Sequence, residues 1–131
     1  MRKTSVIKNL AFLEIIVCNF DRALDWYTKI LGFKLSGEIV ENQDGRWCRL
    51  ETETGDKRLA LWQPPSKSIS DKHADSSFVP VFEVENLHAL VVQLAIRGVS
   101  TLEDIRERAG YRITTIADPE GHKLQLFEVI V

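Results

Sequence analysis

One local pattern occurs twice in these 131 residues, and a duplicated pattern constrains architecture more than any single residue does. Residues 10–17, Leu-Ala-Phe-Leu-Glu-Ile-Ile-Val, form an apolar, partly β-branched run that Asn19 ends, which predicts a strand. A helix of about eleven residues follows, with Asn19 or Asp21 as its N-cap. Leu24, Tyr27 and Leu31 fall on one face of that helix, and Gly32 stops it. Phe78-Val79-Pro80-Val81-Phe82-Glu83-Val84 repeats the strand and Asn86 repeats its end. Residues 87–97 repeat the helix, with a stripe of Leu87, Leu90, Val91 and Leu94, and Gly98 repeats the stop. Val17 matches Val84 and Gly32 matches Gly98, at separations of 67 and 66 positions. Few letters are shared between the halves, so the pattern carries the argument.

Three further strands are predicted after each helix. In the first half they cover 33–40, 45–53 and 57–63, separated by the turn residues Asn42-Gln43-Asp44-Gly45 and Thr54-Gly55-Asp56. In the second half they cover a weak segment at 99–105, then 110–117 and 122–130, with Asp118-Pro119-Glu120-Gly121 turning between the last two. The expected organisation is one domain over 1–131. Module one covers about 6–63, a polar linker opened by Pro64 and Pro65 covers about 64–77, and module two covers about 78–131.

Composition narrows the function. Charged residues are 27% of the chain and the formal net charge is −2, with no Lys/Arg run longer than two. Neither nucleic acid nor an anionic membrane is an expected partner. No stretch nears the ~20 apolar residues of a membrane span, and Met1 to Ser5 lead into Val6 without an apolar signal region, so a cytoplasmic location is expected. Cys18 and Cys48 both lie in apolar runs and are read as reduced, packed thiols. No Gly-rich phosphate loop, Cys-x-x-Cys or Gly-x-Ser-x-Gly elbow is present.

Strand, helix and three strands, written twice, make the chain resemble the vicinal oxygen chelate superfamily, that of glyoxalase I, extradiol dioxygenases and the bleomycin-binding resistance proteins. Ile15-Ile16-Val17, Ala23-Leu24-Asp25-Trp26-Tyr27 and Leu31-Gly32-Phe33 are similar to its opening motif, and Asp118-Pro119-Glu120-Gly121-His122-Lys123-Leu124-Gln125-Leu126 to its closing one. The resemblance implies an α+β fold of two tandem βαβββ modules whose mixed sheets curl around a cleft. It does not choose among activities.

In metal-using relatives, a His, Gln or Glu on each of four strands points into the cleft. Carried over one at a time, these positions fall on Phe12, Ala60, Val79 and Gln125. Three have no donor atom, and one neutral amide does not hold a divalent ion against water. No metal and no other cofactor is therefore expected. Glu14 and Glu83 lie in phase with Phe12 and Val79, and with Gln125 they form a plausible alternative oxygen-rich set. His73, His88 and His122 are read as solvated or capping residues.

If Phe12 faces the cleft, strand alternation lists what lines it. Phe12, Glu14, Trp47, Arg49 and Trp62 come from module one, and Glu83, Gln125 and Phe127 from module two. Cys48 and Leu50 suit the helix-covered side of their strand, whereas 110–117 fits either face. Aromatic planes with a few polar groups suit a small-molecule site, although aromatics on sheets also serve as core or subunit interface. Trp26 is expected to pack on the sheet or on a partner subunit.

These observations favour a metal-independent small-molecule binding protein similar to the drug-sequestering resistance members, forming a homodimer. No catalytic residue is assigned. The alternative is an enzyme, a lyase, isomerase or dioxygenase, using Glu14, Glu83 and Gln125 as a metal or acid–base site. A third reading is a regulatory module whose cleft is filled by its own side chains.

Overall fold

The computed structural model describes residues 6–65 and 78–130. Module one contains β1 (Leu13–Ile16), α1 (Phe20–Lys29), β2 (Lys34–Asn42), β3 (Gly45–Glu51) and β4 (Leu59–Gln63). Module two contains β5 (Val81–Glu83), α2 (Leu87–Ile96), β6 (Arg106–Arg108), β7 (Tyr111–Ala117) and β8 (Lys123–Val129). The sheets have equivalent strand orders, β1-β4-β3-β2 and β5-β8-β7-β6. The first strand of each runs parallel to its last, and the other pairs are antiparallel. This is the α+β architecture of two βαβββ modules that the duplicated pattern requires.

The repeat extends to hydrogen bonds. The side chain of Asn19 accepts from the Arg22 amide at 3.0 Å, and that of Asn86 accepts from the Ala89 amide at 3.1 Å. These are N-caps that occupy orphan donors of the first helical turn. The next amide is also satisfied equivalently. Phe20 N donates to Gln63 Oε1 at 2.7 Å, and Leu87 N donates to Glu128 Oε1 at 2.9 Å. Each module thus closes the start of its helix with a side chain from its own last strand. Gly32 and Gly98, at φ +84° and +86°, then take the left-handed conformation that ends both helices.

The core is one cluster drawn from both modules. Ile15, Val17, Phe20, Tyr27, Cys48, Leu50 and Leu61 pack with Leu87, Leu94, Ile116, Leu124 and Leu126. Phe33 and Phe82 meet across the module boundary at 5.4 Å. Trp26 is half-buried against this core and edge-on to Tyr27, with ring centroids 5.0 Å apart. No helix among the described residues is long and apolar enough to cross a membrane.

Four sequence expectations change. The weak strand at 99–105 is not formed; β6 lies at Arg106–Arg108, where pairing with β7 fixes three residues that have no apolar member. The first strands of both modules are shorter than their apolar runs, and Pro80, which has no amide to donate, immediately precedes β5. Cys18 is exposed rather than packed, because the chain leaves β1 before it, whereas Cys48 is buried; the two are not bonded to each other. His122 is half-buried and paired with Asp118 rather than solvated. Most of the expected linker, together with His73, lies outside the described residues.

Candidate functional site

Pairing across the first sheet builds the site. One lateral row runs Glu14, Ala60, Arg49, Ser36 from β1 to β2, and the next runs Ile16, Trp62, Trp47, Val40. Members of the two rows are two positions apart on β1, β4 and β3, so their side chains share a face. The intervening row of Ile15, Leu61 and Cys48 points the other way, into the core. A burial pattern alternating between buried and half-buried along Trp47-Cys48-Arg49-Leu50 confirms the phase that alternation predicts.

On this face the side chains are tied to one another. Trp47 Nε1 donates to Glu14 Oε2 at 2.8 Å, and Trp62 Nε1 donates to the Asp44 carbonyl at 2.9 Å. Phe12 packs edge-to-face on Trp47 at 5.9 Å. The Arg49 guanidinium lies 4.4 Å from the Phe12 ring centroid and 5.4 Å from that of Trp47. Its buried Nε has no hydrogen-bond partner, and no carboxylate among the described residues pairs with it. Here aromatic faces supply the electrostatic contact.

Beside Trp47 is an open pocket of about 260 Å³ lined by Glu14, Val40, Asn42, Asp44, Gly45, Trp47 and Trp62. Its end wall is the β2–β3 turn, where Asn42 Oδ1 accepts from the Asp44 amide at 2.8 Å. Gly45 is held there at φ +111°, and a Cβ on it would come within 2.1 Å of the Gln63 carbonyl oxygen. No side chain fits between these strands, so close backbone approach requires glycine.

The other expected site residues lie on the second sheet. Val81, Gln125 and Thr115 make one row, and Glu83, Phe127, Ile113 and Arg106 make the next. Tyr111 stacks on Phe127 at 5.4 Å, so the Tyr111/Ile113 face of β7 is the one shared with Gln125. No hydrogen bond, ion pair or ring contact among the described residues joins the Phe12, Glu14, Trp47, Arg49 and Trp62 group to Glu83, Gln125 or Phe127. Val79 is partly exposed ahead of β5.

The residues at the four carried-over ligand positions do not fit a divalent cation. Phe12, Ala60 and Val79 have no side-chain donor, and Gln125 offers one neutral amide. Among the described residues, no group of three or more His, Cys, Asp and Glu side chains is arranged to hold a metal ion.

Sequence reasoning missed a polar cluster at the module boundary. Asp118, buried in the β7–β8 turn, accepts from Tyr27 Oη at 2.8 Å and pairs with His122 Nδ1 at 2.7 Å. Its other oxygen accepts from the Glu120 and His122 amides. Burial alone would raise the Asp118 carboxyl, but the His122 and Tyr27 contacts prevail and hold it below its ordinary value. Burial alone would lower His122, yet Asp118 holds it above its own. Burial first, and Asp118 second, push the Tyr27 phenol far up, so it remains a donor. Two residues on from Asp118, Glu120 accepts from the Cys18 and Asn19 amides at the start of α1. A carboxylate is favoured at that helix terminus. The one sequence signal was the dense polar turn Asp118 to His122, whose partners are remote in the chain.

Comparison with known proteins bears on this geometry. The family model of the glyoxalase/bleomycin resistance protein/dioxygenase superfamily matches residues 9–126. No curated protein matches the sequence. Among solved structures, a glyoxalase family protein from Bacillus cereus superposes with a TM-score of 0.78 at 19% identity, covering 100% of both chains. TnmS3, an antibiotic binding protein from Streptomyces sp. CB03234, gives 0.73 at 19% identity over 96% of this chain and 99% of its own. The glyoxalase family protein from Enterococcus faecalis gives 0.73 at 21% identity over 95% of this chain and 100% of its own. At these identities the likeness concerns the fold.

Proposed function

The chain belongs to the glyoxalase/bleomycin resistance protein/dioxygenase superfamily, and from that membership we propose that it binds a small, flat organic molecule without a metal, on the open face of its first module. The observation that carries this reading is the pair of indoles, Trp47 and Trp62, side by side on neighbouring strands and lining one pocket. Both ring N–H groups are engaged within the protein, which fixes the rings and leaves their faces to pack against a ligand. Phe12, Glu14 and Arg49 brace this wall. Glu83, Gln125 and Phe127 are a second lining set, available if the two sheets or a second copy of the chain close over the ligand. An antibiotic binding protein shares the fold, so the fold is compatible with sequestration.

The enzymatic alternative needs Glu14, Glu83 and Gln125 to converge; Glu14 stands on the first sheet, Glu83 and Gln125 stand on neighbouring strands of the second, and no hydrogen bond among the described residues joins Glu14 to the other two. A homodimer is part of the proposal: Val81, on the outer strand of the second sheet, is 52% exposed.

Elemental analysis after incubation with Mg, Mn, Fe, Ni and Zn salts and dialysis tests the metal-free reading. The expected stoichiometry is near zero for every metal, together with saturable quenching of tryptophan fluorescence by members of a library of planar compounds. Retention of about one metal per chain, lost in Glu14→Gln or Glu83→Gln, would replace binding by catalysis.

A further inference from the structure

The charge around the pocket goes further than its shape. Two carboxylates, Glu14 and Asp44, line it, and no Lys, Arg or His does. The Asp44 side chain has no hydrogen bond or ion pair among the described residues; only its main chain is engaged. Among the described residues, Glu14 accepts one side-chain bond, from Trp47 Nε1, and has no basic partner. With both indole donors used, the ligand meets two π faces and two carboxylates.

An indole face attracts positive charge and repels negative charge. The molecule contains its own instance, since the Arg49 guanidinium already lies against Phe12 and Trp47. Arg49 is outside the pocket lining and opposes a second cation. Glu14 and Asp44 outnumber it, and they are the charges in direct reach of an occupant. A pocket of about 260 Å³ is slightly below the range for drug-sized ligands, so it suits a two-ring fragment or the flat end of a larger molecule.

We propose that this pocket selects a flat organic cation, a quaternised or protonated nitrogen heteroaromatic, which stacks on Trp47 and Trp62 with its positive edge toward Glu14 and Asp44. The inference rests on the reading of this pocket as the ligand site. It makes the carboxylates the residues that determine specificity and the indoles the residues that supply contact area.

Three probes of one ring system and different charge test it by calorimetric titration at pH 8: 1-methylquinolinium, neutral quinoline and quinoline-2-carboxylate. The cation is expected to bind roughly tenfold more tightly than the neutral ring, with the anion weakest. Asp44→Asn and Glu14→Gln should each reduce affinity for the cation by a larger factor than affinity for quinoline, narrowing the preference for the cation; in Glu14→Gln the new side-chain amide oxygen can still accept from Trp47. Trp62→Leu, checked for native circular dichroism, should weaken the cation and the neutral ring together. Equal binding of cation and neutral ring, or preference for the anion, overturns the charge inference while the ligand-site reading stands. Binding by none of the three also overturns it. The ligand-site reading falls separately if planar compounds found by the library screen bind Trp62→Leu as well as the native chain.

Discussion

The phenol of Tyr27 on α1 and the carboxylate of Asp118 in the β7–β8 turn, 91 residues apart in sequence, form a buried hydrogen bond of 2.8 Å. This bond joins the two modules at the place where Glu120 also caps α1. Tyr27→Phe keeps the ring packing and removes only the donor. A hydrogen bond to a charged, buried acceptor makes the expected loss about 1.5–3 kcal/mol of unfolding free energy. Urea denaturation checks it, and a loss below about 0.5 kcal/mol would mean that His122 and the turn amides satisfy Asp118 unaided.

The same cluster fixes how stability varies with pH. His122 is held above its ordinary 6.5, so its contribution is full below that value and is lost as pH rises through the folded-state value. Asp118 is held below its ordinary 3.8, so its contribution is present above that value and is lost as pH falls through the folded-state value. Both are therefore in force between 3.8 and 6.5. Denaturation midpoints should decline above that window in the native chain, and His122→Gln should flatten the alkaline decline and also weaken the acid limb, since His122 is the first of the contacts that lower Asp118.

Glycine substitutions separate two kinds of constraint. Gly37, at φ +75° with open space where a Cβ would stand, should accept alanine at the conformational cost alone, about 1–2 kcal/mol. Gly45→Ala adds a collision with the Gln63 backbone, so β3 and β4 must part beside Trp47 and Trp62. Thermal denaturation should rank Gly45→Ala well below Gly37→Ala, and the tryptophan emission of Gly45→Ala should shift. Equal melting temperatures would show that the turn relaxes freely.

Arg49→Met retains the aliphatic stem and deletes the charge over Phe12 and Trp47. The expected cost is about 0.5–2 kcal/mol, in the range of cation–π contacts from exposed to desolvated sites. A gain in stability instead would show that burying Nε, which has no acceptor among the described residues, costs more than the ring contacts return.

Much of the fold was legible because it is local and repeated. Asn19 and Asn86 capped both helices, and alternation along Trp47-Cys48-Arg49-Leu50 set the two faces of β3. β6 was not legible, since Arg106-Glu107-Arg108 carries no apolar signal and exists through its pairing with β7. Within the site, alternation placed Trp47 and Arg49 on one face, but not that Glu14 would engage the indole of Trp47, 33 residues away. Likewise Tyr27 read as one more apolar helix position, because the carboxylate that it meets lies in the other module.

Trp47 and Trp62 have both committed the only polar hydrogens of their side chains to the protein itself. Directional bonds are the means by which a binding surface tells one compound from a near-isostere, by factors of about 10⁴ or more, whereas apolar contact alone distinguishes a methylene by about 10–200-fold. A wall built from such planes is therefore tolerant. On the proposed reading, Glu14 and Asp44 would sort compounds by charge while the indole planes accept varied ring decorations, so that one short chain would answer a family of related cations.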